Sequence, residues 1–238
     1  LNKKLVELGT DVTVYATDIN GRDSLSVSLE KEVVVDGVKV FYFPSRGFFR
    51  KWSYSPQLHK KIKDTVKNFD IIHITSVFLA ASTLGANYAR KFKKPYIISP
   101  RGTLMKEPMT LRNAFVKKTY LRLIEKSNLI NASAIHFTSK KEAEEYKPLN
   151  LFCKSEVVIP NSLNFRELDT PTEPGAFRRK HNISADKKIV LFLGRLNWKK
   201  GFDTLIPAFR AVSEKIHEAI LIIAGPDENN YKKEIERK

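Results

Sequence analysis

Three cations and two glycines share one short stretch of the chain, IVLFLGRLNWKKGFDTLIPAF at residues 189–209. A buried-type strand over residues 189–193 runs into Gly194. Arg195 follows, then Lys199, Lys200 and Gly201, and then a helical pattern. Open α/β sheets bind ligands at the carboxyl ends of their strands. A helix that starts there offers unpaired N–H groups and a partial positive charge to an anion. Arg195 has the planar fork that grips two phosphate oxygens at once, and Lys200 adds a compact point charge. Gly194 and Gly201 let the backbone approach a ligand closely. Lys199 is expected to point another way along the loop. The chemistry implied is phosphate or diphosphate binding. The spacing is neither G-x-G-x-x-G nor a Walker loop, which disfavours both of those families. The alternative is an ordinary strand–loop–helix whose basic residues are simply solvated, as surface cations commonly are.

Other chemically able residues give thinner patterns. His59, His73, His136, His181 and His217 show no HxxxH or HExxH spacing, so no metal site is predicted. His73 and His136 fall in apolar strand runs and read as hydrogen-bonded core histidines. The single cysteine, Cys153, excludes an intrachain disulfide framework and a cysteine-based zinc site, and reads as a plain, partly buried residue. No G-x-S-x-G elbow supports hydrolase chemistry. Asn131-Ala132-Ser133 and Asn182-Ile183-Ser184 match the glycosylation triplet, which a cytosolic chain does not use.

Two basic features remain. Phe48-Phe49-Arg50-Lys51-Trp52 combines aromatics with cations just after a strand. Such a loop can stack on a sugar or seat in lipid headgroups; the commoner alternative is a half-buried loop, since isolated exposed aromatics are ordinary. On a long helix predicted over residues 111–131, Arg112, Lys117, Lys118, Arg122 and Lys126 run beside Leu111, Phe115, Leu121 and Ile124. That surface suits an anionic lipid face, or is a solvated helix face.

The elements that must position these residues follow from periodicity. Strands are expected at residues 11–16, 70–74, 95–99, 134–138, 156–159, 189–193 and 219–224. A hairpin is expected at residues 33–43 around Asp36-Gly37. Helical patterns lie at 55–69, 77–92, 111–131, 140–146, 177–181 and 202–216. Strand–helix alternation means parallel sheets covered by helices. Residues 161–175, with Pro171, Pro174 and Gly175, read as a linker. The fold class is therefore α/β, with two Rossmann-like parallel-sheet domains.

Composition narrows the partners. The 238 residues carry 42 Lys+Arg against 26 Asp+Glu, a net charge of +16, which calls for an anionic partner. Lysine doublets are scattered and no nucleic-acid-binding motif is present, so nucleic acid is not expected. At 42% hydrophobic residues the chain can build a core. No apolar run approaches the ~18–20 residues of a membrane span, and no signal-peptide pattern is seen.

GRLNWKKGFDTLIPAF resembles the GRLxxxKG donor-phosphate motif of the retaining, GT-B-fold glycosyltransferases of family four (glycosyl transferases group 1). DVTVYATD, DIIHITSVF, PYIISPRGTL, YLRLIEKSNLINAS, AIHFTSKKEAEE, VVIPNSLN and LIIAGPDENN fit the same family in the same order, so the resemblance spans nearly the whole chain. It implies that Arg195 and Lys200 bind the pyrophosphate of a nucleotide-sugar donor. It also implies retention at the anomeric carbon, a glycan or lipid-linked acceptor, a role in polysaccharide synthesis, and no cofactor or catalytic metal. The family's SP-x-G segment often holds a catalytic-site His; Ser99-Pro100-Arg101-Gly102 has Arg101 instead. An arginine cannot act as a general base, but it can hold a phosphate or a sugar hydroxyl. Two family parts are not found: the Gly-rich loop that would precede Leu1, and the sugar-contacting E-x7-E pair. Glu228 and Glu236 have that spacing but follow GPDENN in a charged helical run, so they are not read as the pair.

On this resemblance the chain reads as a fragment truncated at both ends and inactive alone. Residues 1–160 form an acceptor-side domain lacking its first strand and loop, 161–175 the linker, and 176–238 the start of the donor domain. The expected place is the cytoplasm, with peripheral contact at the inner membrane face. The rivals are a non-catalytic basic module binding nucleic acid or membrane, and another nucleotide-sugar-using Rossmann enzyme such as an epimerase.

Overall fold

In α1 (Asn2–Glu7) the apolar spacing of Leu5 and Leu8 ends at Gly9, whose φ of +88° stops the helix. The computed structural model describes residues 1–111, 113–162, 173–228 and 230–237, apart from the side chain of Phe49. Arg112 and most of the expected linker, residues 163–172, lie outside the described residues. The chain divides into two compact units, Leu1–Leu163 and Asn164–Lys238.

In the first unit, β1 (Thr13–Thr17) precedes a two-residue antiparallel pair, β2 (Ile19–Asn20) and β3 (Asp23–Ser24). The valine-rich β4 (Glu32–Val35) and β5 (Val38–Phe43) fold back at Asp36-Gly37, where φ is +48° and +79°. Both positive values are what a two-residue hairpin with the native strand twist needs. β5 also pairs in parallel with β1, giving the sheet β1-β5-β4.

A 3-10 stretch, Gly47–Trp52, leads to α2 (Pro56–Thr65), capped by Ser55, whose Oγ accepts the Leu58 N–H at 3.3 Å. Then come β6 (Ile72–Thr75), α3 (Ala80–Lys91), β7 (Tyr96–Ser99), α4 (Lys106–Thr110), α5 (Ala114–Tyr120), α6 (Lys126–Ile130), β8 (Ala134–Phe137), α7 (Lys140–Tyr146) and β9 (Glu156–Val158). β6-β7-β8-β9 is parallel throughout, with Ile74 beside Ile98 and Ile98 beside Ile135. Those three isoleucines are buried with Leu58, Phe43 and Leu129 in one cluster, so residues from both sheets share a core.

The helix expected over 111–131 differs in detail. Leu111 is extended and Asn113 left-handed, so helix starts at Ala114; Leu121–Glu125 then winds as a π-turn before α6. Leu121, grouped with the basic surface above, is buried. Lys117 leaves that surface too: its Nζ donates to the carbonyls of Pro108 at 2.6 Å and Leu111 at 3.0 Å, closing off α4.

In the second unit, α8 (Ala176–Lys180), β10 (Lys188–Leu193), α9 (Phe202–Ser213), β11 (Ala219–Ala224) and α10 (Lys232–Ile235) follow in order. β10 and β11 pair in parallel. A small core of Leu196, Phe202 and Ile235 forms beside them, with the Phe192 and Phe202 rings 4.7 Å apart.

One buried carboxylate seats the aromatic loop of the first unit. Asp18 accepts the Ser45 N–H at 3.0 Å and meets Arg46 at 2.5 Å. Burial pushes its carboxyl up, but the Ser45 N–H and the Arg46 guanidinium outweigh this and hold it below its ordinary value. Such a contribution is present above the unfolded value and is lost as pH falls through the folded one. Asp18→Ala is expected to cost about 1–3 kcal/mol, from the stranded Ser45 donor. The melting temperature should drop at neutral pH, with the gap to wild type narrowing in acid. A gap that stays constant with pH would show that the ionised pair contributes nothing.

Candidate functional site

The carboxyl ends of β10 and β11 are joined beyond their last paired residues. Gly194 N–H donates to Ala224 O at 2.9 Å, Leu196 N–H to Pro226 O at 2.9 Å, and Glu228 N–H to Leu196 O at 3.2 Å. Parallel pairing thus carries the loop after β11 alongside the loop after β10. Gly225 makes this approach feasible: a Cβ there would collide with Gly194 O, and its φ is +150°. Gly194 itself needs no special geometry, since an added Cβ would only touch the Phe192 ring at 3.5 Å. Gly201 does need to be glycine-like, with φ +71° at the entry to α9.

Arg195, Asn197, Lys199, Lys200 and Glu228 line a concavity of about 170 Å³ at this end of the sheet. Asn197 orders it. Its Oδ1 accepts the Lys199 N–H at 2.9 Å, and its Nδ2 donates to Glu228 Oε2 at 2.9 Å. Arg195 Nη1 reaches the same Glu228 oxygen at 3.3 Å. Lys199 does not point away as expected. It lines the concavity with Lys200, its ammonium 5.4 Å from the Trp198 ring centre. Sequence reasoning named Arg195 and Lys200 here, missed Asn197 and Gly225, and met Glu228 only as half of a rejected glutamate pair. A glycine directly after the apolar run of β11 was the available signal.

Arg101 stands at the carboxyl end of β7 with φ +55°, and Ser76 and Phe78, after the neighbouring β6, are also left-handed at +73° and +65°. Such geometry in non-glycine residues is costly and gathers at functional sites. Arg101 donates through Nη1 to Asn161 Oδ1, while its Nε is buried with no partner among the described residues. The turn is held by Glu142, a buried carboxylate that accepts from Gly102 N–H at 2.6 Å and Thr138 N–H at 2.7 Å. Ser139 caps α7, its Oγ accepting the Glu142 N–H at 3.1 Å.

His136 is buried as expected, its Nε2 2.8 Å from Ile159 O. His73 is not a core residue. Strand alternation sends Ile74 inward and His73 to the opposite, exposed side, with its ring 6.2 Å from His136. Partial shielding of the ring from water, then the charges of His136 and Arg101, hold its imidazole below its ordinary value. Cys153 is partly buried. Glu236 pairs with Lys232 on α10 at 3.5 Å, apart from Glu228 on its loop.

In the aromatic loop, Phe48, Lys51 and Trp52 are exposed, and the Phe49 side chain lies outside the described residues. Arg50 is not available as a loop cation. Its guanidinium donates to Ser24 Oγ and Gly21 O, both at 3.2 Å, and to Asp23 O, pinning the loop to the turn between β2 and β3.

Residues 1–162 match the family model described as glycosyl transferase 4-like domain, and residues 175–238 match that of glycosyl transferases group 1. The chain belongs to the glycosyl transferase 4-like family. An uncharacterised glycosyltransferase of Methanocaldococcus jannaschii is 29% identical over 204 residues, covering 80% of this chain and 50% of that protein. The chain thus spans about half the length of that curated relative. Sucrose-phosphate synthase of Thermosynechococcus elongatus has a similar structure, with a TM-score of 0.62 at 18% identity, over 99% of this chain and 58% of that one. HepE of Anabaena, solved with UDP-glucose, gives 0.61 at 18% identity, over 85% of this chain and 52% of that one. At these identities the likeness is one of fold: a GT-B-like α/β architecture with parallel, Rossmann-like sheets. Among the described residues no helix is long and apolar enough to cross a membrane.

Proposed function

We propose that this glycosyltransferase moves a hexosyl unit from a nucleotide-sugar donor to a glycan or lipid-linked acceptor, with retention at the anomeric carbon. The observation that carries the reading is the concavity after β10 and β11, where Arg195, Lys199 and Lys200 converge at the carboxyl ends of parallel strands. That Anabaena HepE is solved with UDP-glucose supports a nucleoside diphosphate as the donor's leaving group. Arg195 and Lys200 hold the diphosphate and stabilise the charge that develops on it as the glycosidic bond breaks. The second unit serves the donor and the first the acceptor. Arg101, with an unsatisfied Nε at a strained turn, contacts a phosphate or hydroxyl and takes no part as a base. The reading requires no resident cofactor or metal.

The test is calorimetric titration of the full-length protein with UDP, ADP and GDP, followed by a transfer assay on that protein in which the product anomer is read by NMR. Binding of one diphosphate and an anomer matching that of the donor are expected. Salt-sensitive binding to DNA with no diphosphate binding would instead favour the basic-module rival.

Glu228 gives a second measurement on the same site. Its carboxylate now occupies Arg195 and Asn197, in the position an anionic ligand needs. Exposed pairs of this kind are worth ~0.2–1 kcal/mol, so Glu228→Gln is expected to tighten diphosphate binding by up to about fivefold. Weaker binding in that variant would mean that Glu228 positions Arg195 rather than competing for it.

A further inference from the structure

The aromatic loop and the basic helix, separate features of the sequence, meet in the fold. Trp52 stacks on Tyr120 with ring centroids 5.9 Å apart and planes 16° from parallel. Tyr120 is fixed from behind: its hydroxyl lies 2.9 Å from Thr83 Oγ1, and Phe78 packs edge-on against its ring. Next to this pair, Phe115, Val116, Thr119, Leu123 and Ile124 line, with Tyr120, an apolar depression of about 250 Å³. Phe115 is 81% exposed, Leu123 73%, and Phe48 on the loop 75%. Phe115 and Leu123, which line one depression, are exposed side chains of the size that marks an interaction surface.

Charge on this surface has one sign. Lys118, Arg122 and Lys126 recur every fourth residue along the same helical stretch, all exposed, and Lys51 adjoins Trp52. The one acidic residue between positions 111 and 126 is Glu125, and it is buried.

We propose that this surface docks on the headgroup region of an anionic lipid bilayer. Phe48, Phe115 and Leu123 enter the apolar boundary, and Lys118, Arg122 and Lys126 meet the lipid phosphates. A basic amphipathic helix with exposed aromatics lies in the interface plane in this way, and a Trp–Tyr pair at its margin suits the headgroup level. Charge complementarity decides the occupant. A second copy would set cation against cation on a chain of net charge +16, and a nucleic acid would leave Leu123 and Val116 facing phosphate. The inference is independent of the donor site, whose residues belong to the other unit.

The experiment is cosedimentation of the purified full chain with vesicles of phosphatidylcholine alone and of phosphatidylcholine with phosphatidylglycerol in equal parts. Binding is expected to the anionic vesicles only, and to fall with added salt. Each basic residue at such a surface contributes a factor of about five, so Lys118→Gln, Arg122→Gln and Lys126→Gln together should weaken binding about a hundredfold. Phe115→Ser with Leu123→Ser should also release the protein, without lowering its melting temperature, since both side chains are exposed. Equal retention by both vesicles, no retention by either, or binding indifferent to both sets of substitutions overturns the proposal. So does a dimer that Phe115→Ser and Leu123→Ser dissociate, which would make the face a contact between copies. A lowered melting temperature in that variant would place another part of the chain over the patch, and this too overturns it.

Discussion

Arg195→Ala in the full chain is expected to weaken nucleoside diphosphate binding more than tenfold. Among the described residues the Arg195 guanidinium makes one exposed contact, 3.3 Å from Glu228, which is worth at most ~1 kcal/mol and is readily exchanged. A charged hydrogen bond to a phosphate is worth ~1.5–3 kcal/mol, and each 1.4 kcal/mol is tenfold in affinity. Arg195→Lys keeps the charge but loses the two-pronged geometry, so it should fall between wild type and Arg195→Ala. Lys200→Ala should weaken binding by a similar factor. Lys199 lines the same concavity, yet its ammonium lies over the Trp198 ring, so Lys199→Ala should cost less. Calorimetric titration of the four variants gives the order directly. If Arg195→Ala and Lys200→Ala bind diphosphate as wild type does, this loop is not the donor site, and the proposed function loses its anchor in the structure.

What could be read from sequence was what is local. Asp36-Gly37 announces a hairpin because the turn's positive φ values come from those two residues alone. Ser55-Pro56 announces a helix start for a similar reason. Arg195 and Lys200 were visible because strand, loop and helix are contiguous there. Glu228 was not, because it reaches Arg195 from 33 residues away, through the pairing of β10 with β11. Gly225 was hidden by the same long-range pairing. His73 was misplaced because an apolar run does not say which strand face the core will cover. Arg50 and Lys117 looked like surface cations, and nothing in their neighbourhoods reveals that backbone carbonyls of the β2–β3 turn and of α4 claim them.

Glu125 is the strongest case of a role invisible in sequence, and removing it should have the largest effect on stability. It sits in a helix rich in lysine and arginine, where an acid reads as a solvated partner. Instead it is buried, and its carboxylate accepts three hydrogen bonds: Phe78 N–H at 3.1 Å, Thr83 Oγ1 at 3.1 Å and Asn128 Nδ2 at 3.0 Å. Phe78 is a bulky residue at φ +65°, a conformation that costs ~1–3 kcal/mol and needs such an anchor. The helix is a π-turn where Glu125 turns inward, a form often retained at functional sites. Glu125→Ala leaves the buried Asn128 donor and the part-buried Phe78 donor unmatched, at about 1–3 kcal/mol for the first and toward the lower end of that range for the second. Thr83 can rotate toward Tyr120, so it adds little. For a unit of this size the melting temperature should fall by on the order of 10 °C. Glu125→Gln keeps an acceptor for Phe78 and Thr83 and should lose less than half as much. Hydrogen exchange at the Phe78 amide should quicken in Glu125→Ala, locating the damage at the carboxyl end of β6. A Glu125→Ala protein that melts with wild type, its Phe78 amide still protected, would mean that the backbone holds this turn without the carboxylate.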